Sequence, residues 1–353
     1  MLPIAGKRTA PYLRSCMLRS VLTTLAILLL SPVVAQAANV TIPTFQLLTR
    51  GILEGGQFSL QTAGEVEVGF GGGYKFGGQL SLGLDASNLE QAPELSDTYD
   101  PEELNALLNR TLRFQSASVI VRDTFGLPFD TTYFVGELDR LLNGELFPRQ
   151  FGSEIVASDL RGMLYFPPPG VEYDGIHNID GTGIAFSTGS LAPWLYLQGA
   201  IYQDATLGAG RYSSDVRAAF STPSFKAETF VGASFPAAAY GIYRGGLLLF
   251  YNTGQGGEFL TQIGVPRWAP STDGPLNIDD FFFLFEPRVH ISFMSIVLTL
   301  FWHPEYYEQA LTNERGATDI VVRFIAGNVQ ENVVSGGIEN GIKLRPASTE
   351  EQL

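Results

Sequence analysis

GEVEVGFGGGYKFGGQLSLGL, residues 64–84, is the stretch whose reading decides the fold. Its second half puts Tyr74, Phe76, Leu80, Leu82 and Leu84 on one side and Lys75, Gln79 and Ser81 on the other, with glycines in the remaining places. Successive side chains of a strand point to opposite faces, so this segment is apolar on one face and polar on the other. The pattern returns downstream. In residues 211–220, Arg211, Ser213, Asp215 and Arg217 share one face, and Tyr212, Val216, Ala218 and Phe220 the other. In residues 224–234, Lys226 and Glu228 oppose Phe225, Ala227, Thr229, Val231 and Ala233. Near the C-terminus Asp319 and Arg323 oppose Ile320, Val322 and Phe324, while Glu339, Lys343 and Arg345 oppose Ile338, Ile342 and Leu344.

Residues 1–37 read as a cleavable signal peptide. Lys7, Arg8, Arg14 and Arg19 precede an apolar run over residues 21–30, Ser31-Pro32 breaks it, and Ala35-Gln36-Ala37 supplies a small-residue cleavage motif. The run is shorter than the ~20 residues a transmembrane helix needs. Residues 17–37 form a compact signal by themselves, so a start at Met17 is an open alternative. The one cysteine, Cys16, would leave with this segment, and the exported chain would have no disulfide to hold it.

The 353-residue chain carries a formal charge of −14, from 22 Lys+Arg and 36 Asp+Glu. The presequence removes four basic residues and no acids, leaving 18 against 36, or −18. Such a surface argues against nucleic acid as a partner and would favour cations near a pore mouth.

No 18-residue apolar run follows Ala38. The longest, VHISFMSIVLTLFW at residues 289–302, meets Glu286, Pro287 and Arg288 upstream and reads as a strand, with Arg288, His290 and Ser292 alternating with Val289, Ile291 and Phe293. Alternation alone suits a soluble sandwich as well as a barrel. Segments of about 9–12 residues favour the barrel. So do aromatics near segment ends (Trp194 and Tyr196, Tyr240 and Tyr243, Phe301 and Trp302) and opposite charges sharing the polar face.

The expected fold is therefore all-β: a closed, antiparallel, up-and-down transmembrane β-barrel of about 12–16 strands over residues 38–345, with a polar tail at 346–353. Candidate strands start near residues 53, 64, 74, 112, 130, 153, 181, 194, 210, 224, 243, 257, 280, 288, 317 and 334. A soluble exported all-β binding protein is the alternative. An insertion around residues 90–110 carries a short helix near 101–109, capped by Asp100 and Pro101 and striped by Leu104, Leu107 and Leu108. It reads as a lid or lumen plug, or as a helix packed on the rim.

Catalytic chemistry finds little support. Three histidines and no cysteine in the exported part exclude thiolate catalysis and cysteine–zinc sites, and neither His-Glu-x-x-His nor Gly-x-Ser-x-Gly occurs. Asp174 near His177 is too little for a hydrolase. Asp174 and Asp180 in YDGIHNIDGTG lack the spacing of an EF-hand. No catalytic, metal or cofactor residue is expected, and the chain does not read as an enzyme. The candidate functional residues are polar-face charges: Lys75, Arg122, Arg211, Asp215, Arg217, Lys226, Glu228, Arg244, Glu286, Arg288, His290, Asp319, Arg323, Glu339 and Lys343. They either line an open lumen and set its field, or pair across the interior and close it.

On the signal peptide, the serial amphipathic strands such as residues 73–84 and 211–234, and the aromatic segment ends, the chain resembles bacterial outer-membrane β-barrel proteins of the porin-like type. The resemblance is architectural and covers nearly the whole exported chain. It implies insertion by the outer-membrane assembly machinery into the outer-membrane lipid bilayer and passive diffusion of small solutes. A non-conducting surface or envelope-structural barrel is the alternative. Barrels of this kind usually end on a strand with a terminal aromatic residue; here the last candidate strand, residues 335–344, is followed by the polar residues 345–353.

Overall fold

The computed structural model describes residues 38–54, 57–72, 75–86, 113–154, 156–158, 175–188, 192–237, 240–302, 304, 318–327 and 336–344. The strands are β1 (Ala38–Glu54), β2 (Gln57–Gly72), β3 (Phe76–Ala86), β4 (Arg113–Val121), β5 (Asp130–Leu141), β6 (His177–Ser187), β7 (Leu195–Asp204) and β8 (Tyr212–Ser221). They continue with β9 (Phe225–Ala237), β10 (Tyr240–Asn252), β11 (Gly257–Trp268), β12 (Phe282–Ile291), β13 (Met294–Trp302), β14 (Thr318–Ala326) and β15 (Gly336–Leu344). All join in one 15-stranded sheet in which neighbours in sequence are neighbours in space, from β1 at one end to β15 at the other. Every pairing is antiparallel. Among the described residues no helix is long and apolar enough to cross a membrane.

The stretch at residues 64–84 is the β2–β3 hairpin, with Gly69 opposite Gln79 and Val68 opposite Leu80. It is the second hairpin. The first strand occupies Ala38–Glu54, where the sequence pattern starts one only near residue 53. Alternation fails there because the β1–β2 register shifts between Thr41 and Thr44, next to Pro43, and apolar positions change parity from Val40 and Ile42 to Phe45 and Leu47.

Two further expectations are corrected. Residues 152–154 and 156–158 form no strand; they follow a short helix, α1 (Leu146–Phe151). Residues 289–302 are not one strand but the β12–β13 hairpin, with Ile291 opposite Met294 and Ser292 turned into the left-handed region at φ 56°. The periodicity of 2 continues across so tight a turn, so the sequence pattern does not register the reversal. The helix expected near residues 101–109 lies outside the described residues.

In a simple meander, alternate connections lie at opposite ends. One end has the connections 73–75, 222–224, 253–256 and 292–293; the other has 87–112, 142–176, 269–281 and 303–317. The four longest connections thus share one end, which also has the two-residue connections 55–56 and 238–239.

The two faces of the sheet differ in an unusual sense. On β8, Asp215 and Arg217 are 2% and 1% exposed, whereas Val216 between them is 55% exposed. On β9, Glu228 is fully buried and Val231 is 64% exposed. Phe283 and Val289 likewise point out of β12 while Glu286 and Arg288 are buried. A sheet folded for water does the opposite. The covered face also holds an apolar cluster, in which Leu142, Phe147 and Val156 from the segment after β5 pack with Phe230, Leu248, Leu260, Phe282 and Phe301 of the wall. One short segment reaching strands so far apart requires the sheet to curve around it.

In the middle of β5, Gly136 adopts φ +85°, and a Cβ there would overlap the Gln115 carbonyl and lie 3.0 Å from Ser116 Cα. Gly136→Ala is expected to lower stability by more than ~1 kcal/mol, read as an earlier thermal transition by circular dichroism in detergent.

Candidate functional site

The interior is organised by the segment after β5. The β5–β6 register slips between Glu137 and Asp139, so Leu138 is an extra residue. The bulge changes which side chains face inward: Phe134 is buried before it, Asp139 and Leu141 after it. The segment then runs through α1, whose Leu146 and Phe147 are buried and whose C-cap is Gly152 in the left-handed region.

Three polar clusters hold the segment and the wall together. In the first, Asp139 accepts from Arg149 of α1 at 2.6 Å and from Arg217 of β8. Arg217 also donates to Gln198 at 2.5 Å and to Glu228 at 3.3 Å, and lies 5.6 Å from the centre of the Tyr196 ring. Glu228 accepts the Leu142 N–H at 3.1 Å, and Gln262 donates to the Leu142 carbonyl at 2.5 Å. One chain of contacts therefore joins β5, α1, β8, β9 and β11. The neighbouring Asp139 carboxylate raises the Arg149 pKa above its ordinary value.

In the second cluster Arg244 grips Asp215 with two bonds, Nε to Oδ1 at 2.8 Å and Nη2 to Oδ2 at 2.7 Å. Tyr202 donates to Asp215 at 2.8 Å, and His177 Nε2 lies 3.2 Å from the Tyr202 hydroxyl. The register explains the geometry: Gly232 lies opposite both Asp215 and Arg244, one strand away on each side. A Cβ on Gly232 would overlap the Asp215 carboxylate and approach Arg244 Nε to 2.9 Å. The ion pair passes over a position that must have no side chain.

The third cluster fixes the end of the segment. Glu286 accepts from Ser158 at 2.7 Å, Thr299 at 2.6 Å and Arg288 at 2.6 and 2.9 Å. Arg288 also donates to the Ala157 carbonyl.

Of the remaining candidates, Lys226 is buried with its ammonium 5.1 Å from the centre of the Phe250 ring, and Asp319 and Arg323 are buried on β14. His290 is 40% exposed, 3.2 Å from Glu258 and 2.8 Å from Ser295. Arg122 lies just beyond β4, 3.4 Å from where a Gly77 Cβ would stand. Lys75 is exposed in the β2–β3 turn, its carbonyl accepting the Arg122 N–H at 2.8 Å, and Arg211 is exposed between β7 and β8. By register Glu339 lies opposite Arg323 and Lys343 opposite Asp319. Asp139, Arg149, Gln198 and Tyr202 complete the clusters and stand outside the alternation-based set. The signal for Asp139 is the break in alternation after Gly136. Arg149 has no strand periodicity to betray it.

A cavity of ≈370 Å3 lies between α1 and the wall of β3–β7. Gln79, Ser116, Ser118, Thr132, Gln150, Ser187, Tyr196 and Gln198 line it, together with Arg122, Asp123, Asp130, Glu137, Asp139 and Arg149. Among the described residues no three His, Cys, Asp or Glu side chains converge as metal ligands.

The chain matches no protein-family model and no curated protein sequence. Among solved structures it is similar to a mutant of the Rh. blastica porin, at 12% identity and a TM-score of 0.47, over 86% of this chain and 95% of that one. A second mutant of the same porin gives 11% identity and 0.47 over 87% and 96%. A structure described by the asymmetric conductivity of engineered proteins gives 10% identity and 0.44 over 87% and 100%.

Removing one partner of a buried pair strands the other. Asp139→Ala, which leaves Arg217 and Arg149 without their shared anion, is expected to cost ~3–5 kcal/mol in denaturant unfolding. Gly232→Ala should also destabilise, and a double-mutant cycle with Arg244→Met should show coupling, because the methyl group acts through that ion pair.

Proposed function

We propose that the chain is an outer-membrane β-barrel whose sheet closes on itself and whose lumen, narrowed by the segment after β5, passes small solutes as a porin does. The observation that carries this reading is the inverted burial. Exposed Val216, Val231 and Ile201 suit contact with lipid, and buried Asp215, Arg217 and Glu228 suit a wet, polar interior. Strands of at least 9 residues are long enough to cross a bilayer at a tilt. Open sheet edges are not tolerated in hydrocarbon, so β1 and β15 must be covered; in a 15-strand meander they run in the same direction, and direct closure would pair them in parallel. Export through residues 1–37, insertion by the outer-membrane assembly machinery, and short turns on the periplasmic side belong to the same proposal.

A second reading, a non-conducting envelope barrel, is favoured by one specific observation: Leu142, Phe147 and Val156 and the paired charges fill much of the interior. Reconstitution of the folded chain in planar bilayers separates the two. Stepwise, steady conductance is expected; a heat-modifiable, folded protein without conductance leaves the second reading. Arg149→Ala, which releases α1 from Asp139, is expected to raise single-channel conductance.

The lipid-facing exterior has its own test. Val231→Arg is expected to cost about 2–4 kcal/mol in urea unfolding from vesicles if this position lies near the bilayer midplane. A near-zero effect would place this position at the membrane interface or in water.

A further inference from the structure

The cavity beside α1 combines two kinds of side chain in opposite states. Its charged groups are largely spent on one another: Asp139 on Arg149 and Arg217, and Glu137 on Arg140 at 2.5 Å. The lining itself carries Arg122 and Arg149 against Asp123, Asp130, Glu137 and Asp139, and Arg140 and Arg217 meet Glu137 and Asp139 from behind it, Arg217 being shared with Glu228. Five of the neutral groups are unspent. Among the described residues, Gln79, Ser116, Ser118, Thr132 and Gln150 make no side-chain hydrogen bond to the protein.

Four of these five come from three adjacent strands. Gln79 lies opposite Ser118, Ser116 opposite Gly136, and Thr132 opposite Ile120, so β3, β4 and β5 present them side by side. Gln150 faces them from α1, and the Tyr196 ring adds a flat apolar wall. Hydroxyls and carboxamides both donate and accept, as do the neighbouring hydroxyls of a polyol. An anionic solute would give up hydration in this cavity without finding an uncompensated cation. The volume of ≈370 Å3 is room for about a dozen waters.

We infer that this cavity is a subsite for a neutral polyhydroxylated solute of roughly one to two sugar rings. The inference rests on the channel reading only in taking the lumen as accessible to solutes.

The test is the ion current of the full folded chain in planar bilayers, titrated with maltose and, separately, with sodium glutamate at constant ionic strength. Maltose is expected to reduce the current saturably, with half-block at about 1–50 mM, the range of a weak reversible site. Glutamate should give no saturating block. Gln79→Ala combined with Ser118→Ala should retain the open conductance and raise the half-blocking concentration about tenfold, and Thr132→Val should shift it in the same direction. Unsaturable block, equal block by glutamate, or unchanged midpoints in both variants would overturn the inference while leaving the channel. Absence of current from a folded barrel removes the channel reading instead. Equilibrium dialysis of maltose against the detergent-solubilised protein then decides the subsite: retention lost in the double variant supports it, and no retention overturns it.

Discussion

Arg217 lies on the covered face of β8 with almost no exposure, and a guanidinium so placed is tolerated only while anions hold it. Asp139 and Glu228 supply them from β5 and β9, and each carries a second obligation: Asp139 holds Arg149 of α1, and Glu228 holds the Leu142 backbone. The neutralisation of one arginine therefore fixes both ends of the first turn of chain that enters the interior. The far end is fixed the same way, with Glu286 gathering Ser158, Thr299 and Arg288.

Local backbone chemistry makes these contacts possible. Gly136 and the bulge at Leu138 rotate β5 so that Asp139 faces inward, and Gly232 leaves the clear line along which Arg244 reaches Asp215 across an intervening strand. Apolar contacts then seat the segment: burying Leu142 and Phe147 contributes about 1.5–3 kcal/mol each, comparable with what a well-made buried ion pair protects against losing. The interior is thus neither a uniformly wet lumen nor a uniformly apolar core. β9–β13 meet the segment with hydrocarbon and, at its two ends, with Glu228, Gln262, Glu286 and Arg288, whereas β3–β7 add hydroxyls, amides and charge around open space.

Much of the architecture was legible in the pattern of 2. Strands beginning at residues 113, 130, 195, 225, 257 and 318 fall within two residues of where alternation places them, because each side chain there faces a single environment. The failures share a cause. At Thr41–Thr44 and at Leu138 a register irregularity changes parity, and at Ser292 a tight turn preserves it, so periodicity misreports the backbone in both directions. The β5–β6 connection was illegible for a different reason: Phe147 is buried in a cluster that draws on strands as distant in sequence as β13, and Arg149 is anchored by an Asp139 that faces inward only because of the bulge.

By itself the sequence determined that this is an all-β chain with two chemically distinct strand faces, since a face is a local property repeated every second residue. It also named most of the charged residues, including Asp215, Arg217, Glu228, Arg244 and Glu286. Only the tertiary structure decided that the charged face is the covered one, that these charges meet in three clusters, and that neutral polar groups are left over around a cavity. The physical reason is range. Alternation is set by a residue's immediate neighbours, whereas burial, pairing and open space depend on which distant strands the curvature of the sheet brings within a few ångströms of one another.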